Sequence, residues 1–167
     1  MEQWIEGKVV EKRHWSDGLY SLRFHAPVET FNAGQFTRLA LEVDGERVAR
    51  PYSFVNPPGD ELLEIYFNEV QDGPLSPRLA ALQPGDRVWV SARPNGFFTL
   101  DELPASEHLW LLATGTALGV YLSILRTEET WRRFHHLVLV HNVRTRDQLS
   151  YGDEIESLKQ RYGDRFH

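Results

Sequence analysis

Cysteine is absent from these 167 residues. That excludes disulfides, thiolate zinc sites, iron–sulfur ligation and a cysteine nucleophile within the chain. Long apolar runs are absent too. The longest candidate, Leu109 to Leu112, falls far short of the ~20 residues that span a bilayer. The start, Met1-Glu2-Gln3-Trp4, lacks the basic and apolar regions of a signal peptide, so a cytoplasmic protein is expected. Seven histidines form no metal-ligand spacing, and neither H-E-x-x-H nor the G-x-S-x-G elbow occurs. Surplus positive charge is missing: the net charge is −6, which argues against a nucleic-acid binder. Residues 1–103 carry ten Lys and Arg against sixteen Asp and Glu, and residues 104–167 carry eight of each. Chemistry that needs a cation must therefore use individual arginines.

What is present changes period near residue 103. Before it, segments 4–13, 19–25, 36–43, 47–55, 62–70, 87–92 and 96–100 read as strands, rich in Val, Leu, Phe, Tyr, Trp and Thr. Turn signals separate them. Asp44-Gly45 suits a type I′ hairpin, which needs positive φ at both central residues. Many short strands at this spacing read as an antiparallel barrel or sandwich. One helix, Pro74 to Leu82, interrupts them, with Leu75, Leu79 and Leu82 on one face.

After Pro104 the pattern is α/β. Leu109-Trp110-Leu111-Leu112-Ala113 and Leu137-Val138-Leu139-Val140 read as buried parallel strands. Helices are expected at Ala117–Arg126 and Leu149–Tyr162, with Gly163 as a C-cap. Trp131-Arg132-Arg133 reads as a solvated basic patch. The fold class is thus an antiparallel β-barrel domain, 1–103, followed by an incomplete doubly wound α/β domain, 104–167. Arg165-Phe166-His167 looks like the opening of a third strand, so the chain reads as a fragment; a disordered end is the alternative.

Four constellations could carry chemistry. Arg50-Pro51-Tyr52-Ser53 lies in a strand, where alternation puts Arg50, Tyr52 and Phe54 on one face. An arginine binds phosphate bidentately and a tyrosine stacks on a flat ring. An ordinary barrel strand with a core tyrosine would read the same. Gly73-Pro74-Leu75-Ser76 opens the lone helix with Pro74 at N1, where the Leu75 and Ser76 N–H groups suit an anion, although a simple helix start would read the same. Thr114-Gly115-Thr116-Ala117-Leu118-Gly119 joins strand to helix, where α/β sheets bind phosphates, but it is not G-x-G-x-x-G and a plain tight turn would look alike. Val143-Arg144-Thr145-Arg146 follows the second parallel strand. An arginine there suits the 2′-phosphate of NADP, although Asp147 could simply pair with it.

In this order the four pieces resemble the ferredoxin/flavodoxin–NADP reductase family of bacterial type. The similarity runs from the N-terminus to His167. It is carried by Arg50-Pro51-Tyr52-Ser53, Asp72-Gly73-Pro74-Leu75-Ser76-Pro77-Arg78-Leu79, Gly96-Phe97-Phe98 and Ala113-Thr114-Gly115-Thr116-Ala117. The resemblance implies a β-barrel FAD domain and a Rossmann-like NADP domain. It implies that Arg50 meets the FAD pyrophosphate, that Tyr52 stacks on the isoalloxazine and that Ser53 lies beside the reactive N5 edge, so Tyr52 and Ser53 are the catalytic pair. Pro51 belongs to the same strand. Tyr66, Phe67 and Asn68 border the adenosine side of FAD, and Pro74, Leu75 and Ser76 cradle the diphosphate. Thr116 stands near the flavin between the domains. Thr114 and Gly115 approach NADP, and Val143 and Arg144 border its 2′-phosphate.

The implied activity is electron transfer between NADPH and ferredoxin or flavodoxin by a monomer. An NAD(P)H-dependent flavin reductase, an oxygenase reductase component and a non-catalytic FAD-binding module are the alternatives. The sequence departs from the family at Val120, where the turn motif often continues to proline. The family's later NADP-domain segments, among them a cysteine-glycine motif and a C-terminal tail over the flavin, are absent, so the chain reads as truncated within that domain.

Overall fold

Alternation of apolar and polar side chains builds the larger of two sheets. The computed structural model describes residues 2–167. Strands β1 (Trp4–Ser16), β2 (Leu19–His25), β3 (Phe36–Val43), β4 (Glu46–Ser53), β5 (Leu62–Asn68) and β6 (Arg87–Ser91) pair antiparallel in the order β4-β3-β6-β1-β2-β5. The edge strands close on each other. Phe54 bridges Ile65, and the Val55 N–H donates to the Glu64 carbonyl at 2.9 Å. The closed sheet wraps a core that includes Leu22, Phe24, Leu39, Phe54, Ile65 and Val90, all without exposed surface. Asp44 (φ 52°) and Gly45 (φ 82°) form the expected β3–β4 hairpin.

Helix α1 (Ser76–Ala81) plugs the barrel with Leu75 and Leu79. It is shorter than expected and starts two residues later. Pro77, not Pro74, takes the early helical position where a missing N–H costs nothing. The expected strand at 96–100 is not formed. Only Asn95 bridges Phe36, Gly96 turns at φ 112°, and Leu100–Glu102 is a 3-10 turn. Pro94 and Gly96 oppose ladder formation there.

The second sheet has parallel strands β7 (His108–Thr114) and β8 (His136–Asn142). Phe166 adds a parallel bridge to Leu137, and the His167 N–H donates to the Leu137 carbonyl at 3.0 Å. Helices α2 (Ala117–Leu125), α3 (Glu128–Arg133) and α4 (Gly152–Tyr162) accompany this sheet. The strands were expected to be buried on both faces. Instead the odd-numbered residues Leu111, Ala113 and Leu137 are buried, whereas Trp110 and Leu112 are 62% and 63% exposed. The buried helix side chains, Leu122, Leu125 and Leu158 among them, cluster with those odd positions, so one sheet face is covered.

The residues read as a basic patch form α3, capped by Glu128 and Glu129 at its start and Arg132 and Arg133 at its end, as the helix dipole favours. Trp131 is core: it stacks on Tyr162 at 3.5 Å and its indole N–H donates to the Leu125 carbonyl at 2.7 Å. The Arg133 guanidinium donates to the Leu100 and Leu103 carbonyls. Helix α4 begins at Gly152 rather than Leu149, which stays exposed in the preceding loop. Gly163 caps it at φ 54°.

Strand β5 sits between the two sheets and is buried on both faces. Leu63, Ile65 and Phe67 point into the barrel, while Glu64 and Tyr66 point toward α2 and the loop before α4. Gly119 lets α2 approach: a Cβ there would lie 3.1 Å from Val55 Cγ2 and 3.2 Å from Tyr66 Cβ.

Candidate functional site

Two clefts open on either side of the C-terminal end of β5. The first encloses about 480 Å³ between the end of β4, the end of β5, the start of α1 and the turn after β7. Antiparallel closure places Tyr52 beside Phe67. Their rings meet edge-on at 5.8 Å and 69°, and Tyr52 lines the cleft. Burial pushes the Tyr52 hydroxyl up to about 12, partly opposed by the Arg50 cation. Tyr52 is therefore neutral at physiological pH. The Arg50 guanidinium is exposed and donates to the Ala49 carbonyl at 2.7 Å. Among the described residues it meets no carboxylate within ion-pair distance, so it is a cation facing the cleft without a counter-charge.

On the other wall, the Ser76 hydroxyl oxygen accepts the Val70 N–H at 2.8 Å, and the Gly73 N–H donates to the Val70 carbonyl at 2.7 Å. These bonds fold the 70–76 segment tightly. A Cβ on Gly73 would come within 2.9 Å of the Val70 carbonyl oxygen, so only glycine fits the turn. The Ser76 hydroxyl is thus engaged in shaping the loop as well as lining the cleft.

The second cleft, about 550 Å³, lies between the β1–β2 turn, the end of β5 and the ends of β7 and β8. The register Leu19↔Asn68 brings Asp17 and Gly18 beside β5, and the Glu69 N–H donates to the Gly18 carbonyl at 2.7 Å. Gly115, at φ 53°, donates its N–H to the Asn142 carbonyl at 3.1 Å and accepts the His141 Nε2–H at 3.0 Å. Burial lowers the His141 pKa, which keeps the ring neutral with its proton on Nε2. The turn carrying Thr114 and Thr116 is therefore held from β8. Tyr66, Asn68 and Thr116 line both clefts, so two ligands would meet at one shared wall.

Comparison with known proteins identifies the architecture. Residues 6–100 match the family model described as an oxidoreductase FAD-binding domain. A flavodoxin/ferredoxin–NADP reductase of Escherichia coli is 55% identical over 97% of this chain and 65% of its own length. One from Buchnera aphidicola is 38% identical over 100% of this chain and 68% of its own. The chain belongs to the flavodoxin/ferredoxin–NADP reductase family. A crystal structure of a ferredoxin NADP+ reductase from Neisseria gonorrhoeae with bound FAD and NADP superposes at a TM-score of 0.90, with 29% identity, over 98% of this chain and 65% of that one. The chain spans about two thirds (65%) of the length of the first relatives it matches.

In this reductase-family chain the residues expected at the flavin fall together. Arg50, Pro51, Tyr52, Ser53, Tyr66, Phe67, Asn68, Pro74, Leu75, Ser76 and Thr116 all line the first cleft. Thr114, Gly115, Val143 and Arg144 all line the second. Arg146 opens a 3-10 turn (Arg146–Gln148) outside both clefts. Sequence reasoning missed Val70 in the first cleft, and Asp17, Gly18, Leu19, Glu69, Asn142 and Gln148 in the second. Ser16-Asp17-Gly18 was legible as a turn, but its place beside Asn68 depends on strand order. Among the described residues no cluster of three metal-ligating side chains occurs, and no helix is long and apolar enough to cross a membrane.

Proposed function

We propose that this chain holds FAD in the first cleft and the nicotinamide nucleotide NADPH in the second, and that the whole protein passes electrons between NADPH and ferredoxin or flavodoxin. Three residues common to both clefts carry this reading: Tyr66, Asn68 and Thr116 line the first and the second alike, so the two ligands would lie against one shared wall. Residues 1–103 form the flavin unit, and residues 104–167 form the first part of the nucleotide unit.

The first cleft suits a flavin dinucleotide on physical grounds. Its volume lies in the range of small-molecule sites, one wall offers a neutral aromatic face, and the exposed Arg50 lacks a carboxylate partner. When bound, FAD supplies the conversion of a hydride pair into single electrons. The protein's task is positioning. Tyr52 stacks on the ring system. Ser53 offers its hydroxyl to the ring edge that receives hydride. Arg50 binds the pyrophosphate in the bidentate manner that guanidinium allows. The Leu75 and Ser76 N–H groups add donors to that phosphate, with Pro74 shaping the approach. Phe67 backs Tyr52, while Tyr66 and Asn68 border the adenosine side. On the second side, Thr114 and Gly115 admit the nicotinamide and diphosphate, Thr116 stands near the flavin where the two clefts adjoin, and Val143 and Arg144 receive the adenosine 2′-phosphate.

This reading puts the protein, as a monomer, where NADPH and the carrier both occur, the cytoplasm. Reconstitution with FAD tests it. The expected product is yellow and reduces an artificial dye with NADPH. A yellow protein without dye reduction would make the chain a binding module, and a colourless protein indifferent to flavin would defeat every flavin reading.

A further inference from the structure

The loop that carries Arg144, residues 143–151, ends in an unusual residue. Tyr151 has φ 60° and ψ 27°, the left-handed region that an L residue with a Cβ occupies only at a cost. It nonetheless has no exposed surface. Its surroundings hold it there. The Tyr151 hydroxyl donates to Glu64 Oε1 at 2.7 Å. The other carboxylate oxygen of Glu64 is gripped by Arg23 at 3.2 Å and Arg126 at 3.7 Å. The ring packs on Trp15 at 4.4 Å and on Tyr66 at 5.2 Å.

A second tie lies one residue earlier. The buried Ser150 Oγ accepts the Tyr66 hydroxyl at 2.9 Å and lies 3.5 Å from the Gln148 carbonyl. The Gln148 side chain in turn accepts the Arg144 N–H at 3.3 Å. Both anchors, Glu64 and Tyr66, come from the outward face of β5, since residues two apart on a strand point the same way. The loop is therefore fastened to the barrel strand that lines both clefts, not to its own sheet alone.

We infer that Tyr151 and Ser150 are positioning residues: by locking the 143–151 loop to Glu64 and Tyr66 they hold Arg144 at the height where it discriminates a nucleotide bearing a 2′-phosphate. The inference rests on the proposed role of the second cleft. Loosening the lock removes an oriented guanidinium, which matters only to a ligand with the extra phosphate.

The test uses the FAD-loaded 167-residue chain and calorimetric titration with 2′-phospho-AMP and with AMP. Tyr151→Phe deletes the bond to Glu64 and keeps the ring; Ser150→Ala cuts the second tie and stands in should the first variant fail to fold. Each is expected to weaken 2′-phospho-AMP roughly three- to tenfold, the scale of one lost hydrogen bond, with AMP and flavin retention unchanged. Arg144→Ala serves as the reference and removes the preference altogether. Wild-type affinity for 2′-phospho-AMP in either folded variant, or equal loss for both nucleotides, overturns the inference while leaving the reading of the cleft intact if Arg144→Ala still loses the preference. An Arg144→Ala protein with unchanged preference overturns that reading and the inference together.

Discussion

The Tyr52 and Phe67 rings meet edge-on, 5.8 Å between centroids. Phe67 is buried in the barrel, so it fixes the orientation of a tyrosine that borders the cleft. A stacked aromatic is worth roughly 1–3 kcal/mol to a bound ring. Tyr52→Ala is expected to weaken FAD retention by about that amount in calorimetry, and Tyr52→Phe to preserve most of it. Unchanged affinity in the alanine variant would remove Tyr52 from the flavin site.

Arg50 gives a second prediction. Lysine keeps the charge but not the planar fork that meets two phosphate oxygens. Arg50→Lys should therefore bind FAD more weakly than wild type, and Arg50→Ala more weakly still, by about 1.5–3 kcal/mol for a charged hydrogen bond lost. Flavin fluorescence during titration measures both. Equal affinity of the lysine and native forms would argue against bidentate phosphate binding.

The Glu64 carboxylate is buried between Arg23, Arg126 and the Tyr151 hydroxyl. Removing it leaves the buried Tyr151 hydroxyl without its acceptor, while Arg23 keeps Glu11 at 3.2 Å and Arg126 keeps Glu154 at 4.0 Å, so the cost is about 1–3 kcal/mol. Glu64→Ala should lower the urea midpoint accordingly. A neutral result would mean that water reaches the Tyr151 hydroxyl and replaces the carboxylate.

Trp131 stacks on Tyr162 and contacts Phe166 edge-on at 5.8 Å. Trp131→Ala should destabilise the chain by about 3–5 kcal/mol, the range for a large aromatic cut from a core. Thermal unfolding would show it. A surface residue would change Tm little, so this measurement separates the observed α3 from the basic patch expected from sequence.

Alkaline pH probes Tyr52. Its hydroxyl is raised by burial from 10.0 to about 12. The unfolded chain thus releases this proton first, and the folded state is favoured fully below pH 10. That contribution falls as pH rises from 10 through 12. Denaturant titrations across this window should show a steeper loss of stability in wild type than in Tyr52→Phe. Parallel curves would show that Tyr52 is not buried as described.

The order of chemistry along the chain is legible in the sequence alone. Asp44-Gly45, Arg50 to Ser53, Pro74 to Ser76 and Thr114 to Thr116 are local patterns whose meaning lies in backbone conformation and residue type. The change from a period of two to α/β alternation near residue 103 is also local. What the tertiary structure decided is which patterns face each other. Residues 62–70 read as one strand, yet closure of the barrel on one side and packing of α2 on the other split it into core residues and the pair Glu64 and Tyr66 that ties down the Arg144 loop. Trp131 became core, and Trp110 and Leu112 came to lie on an uncovered face, because the burial of a side chain depends on which elements arrive from elsewhere in the chain. Side-chain period is a property of neighbours in sequence; a shared wall between two clefts arises only from contacts between residues far apart in it.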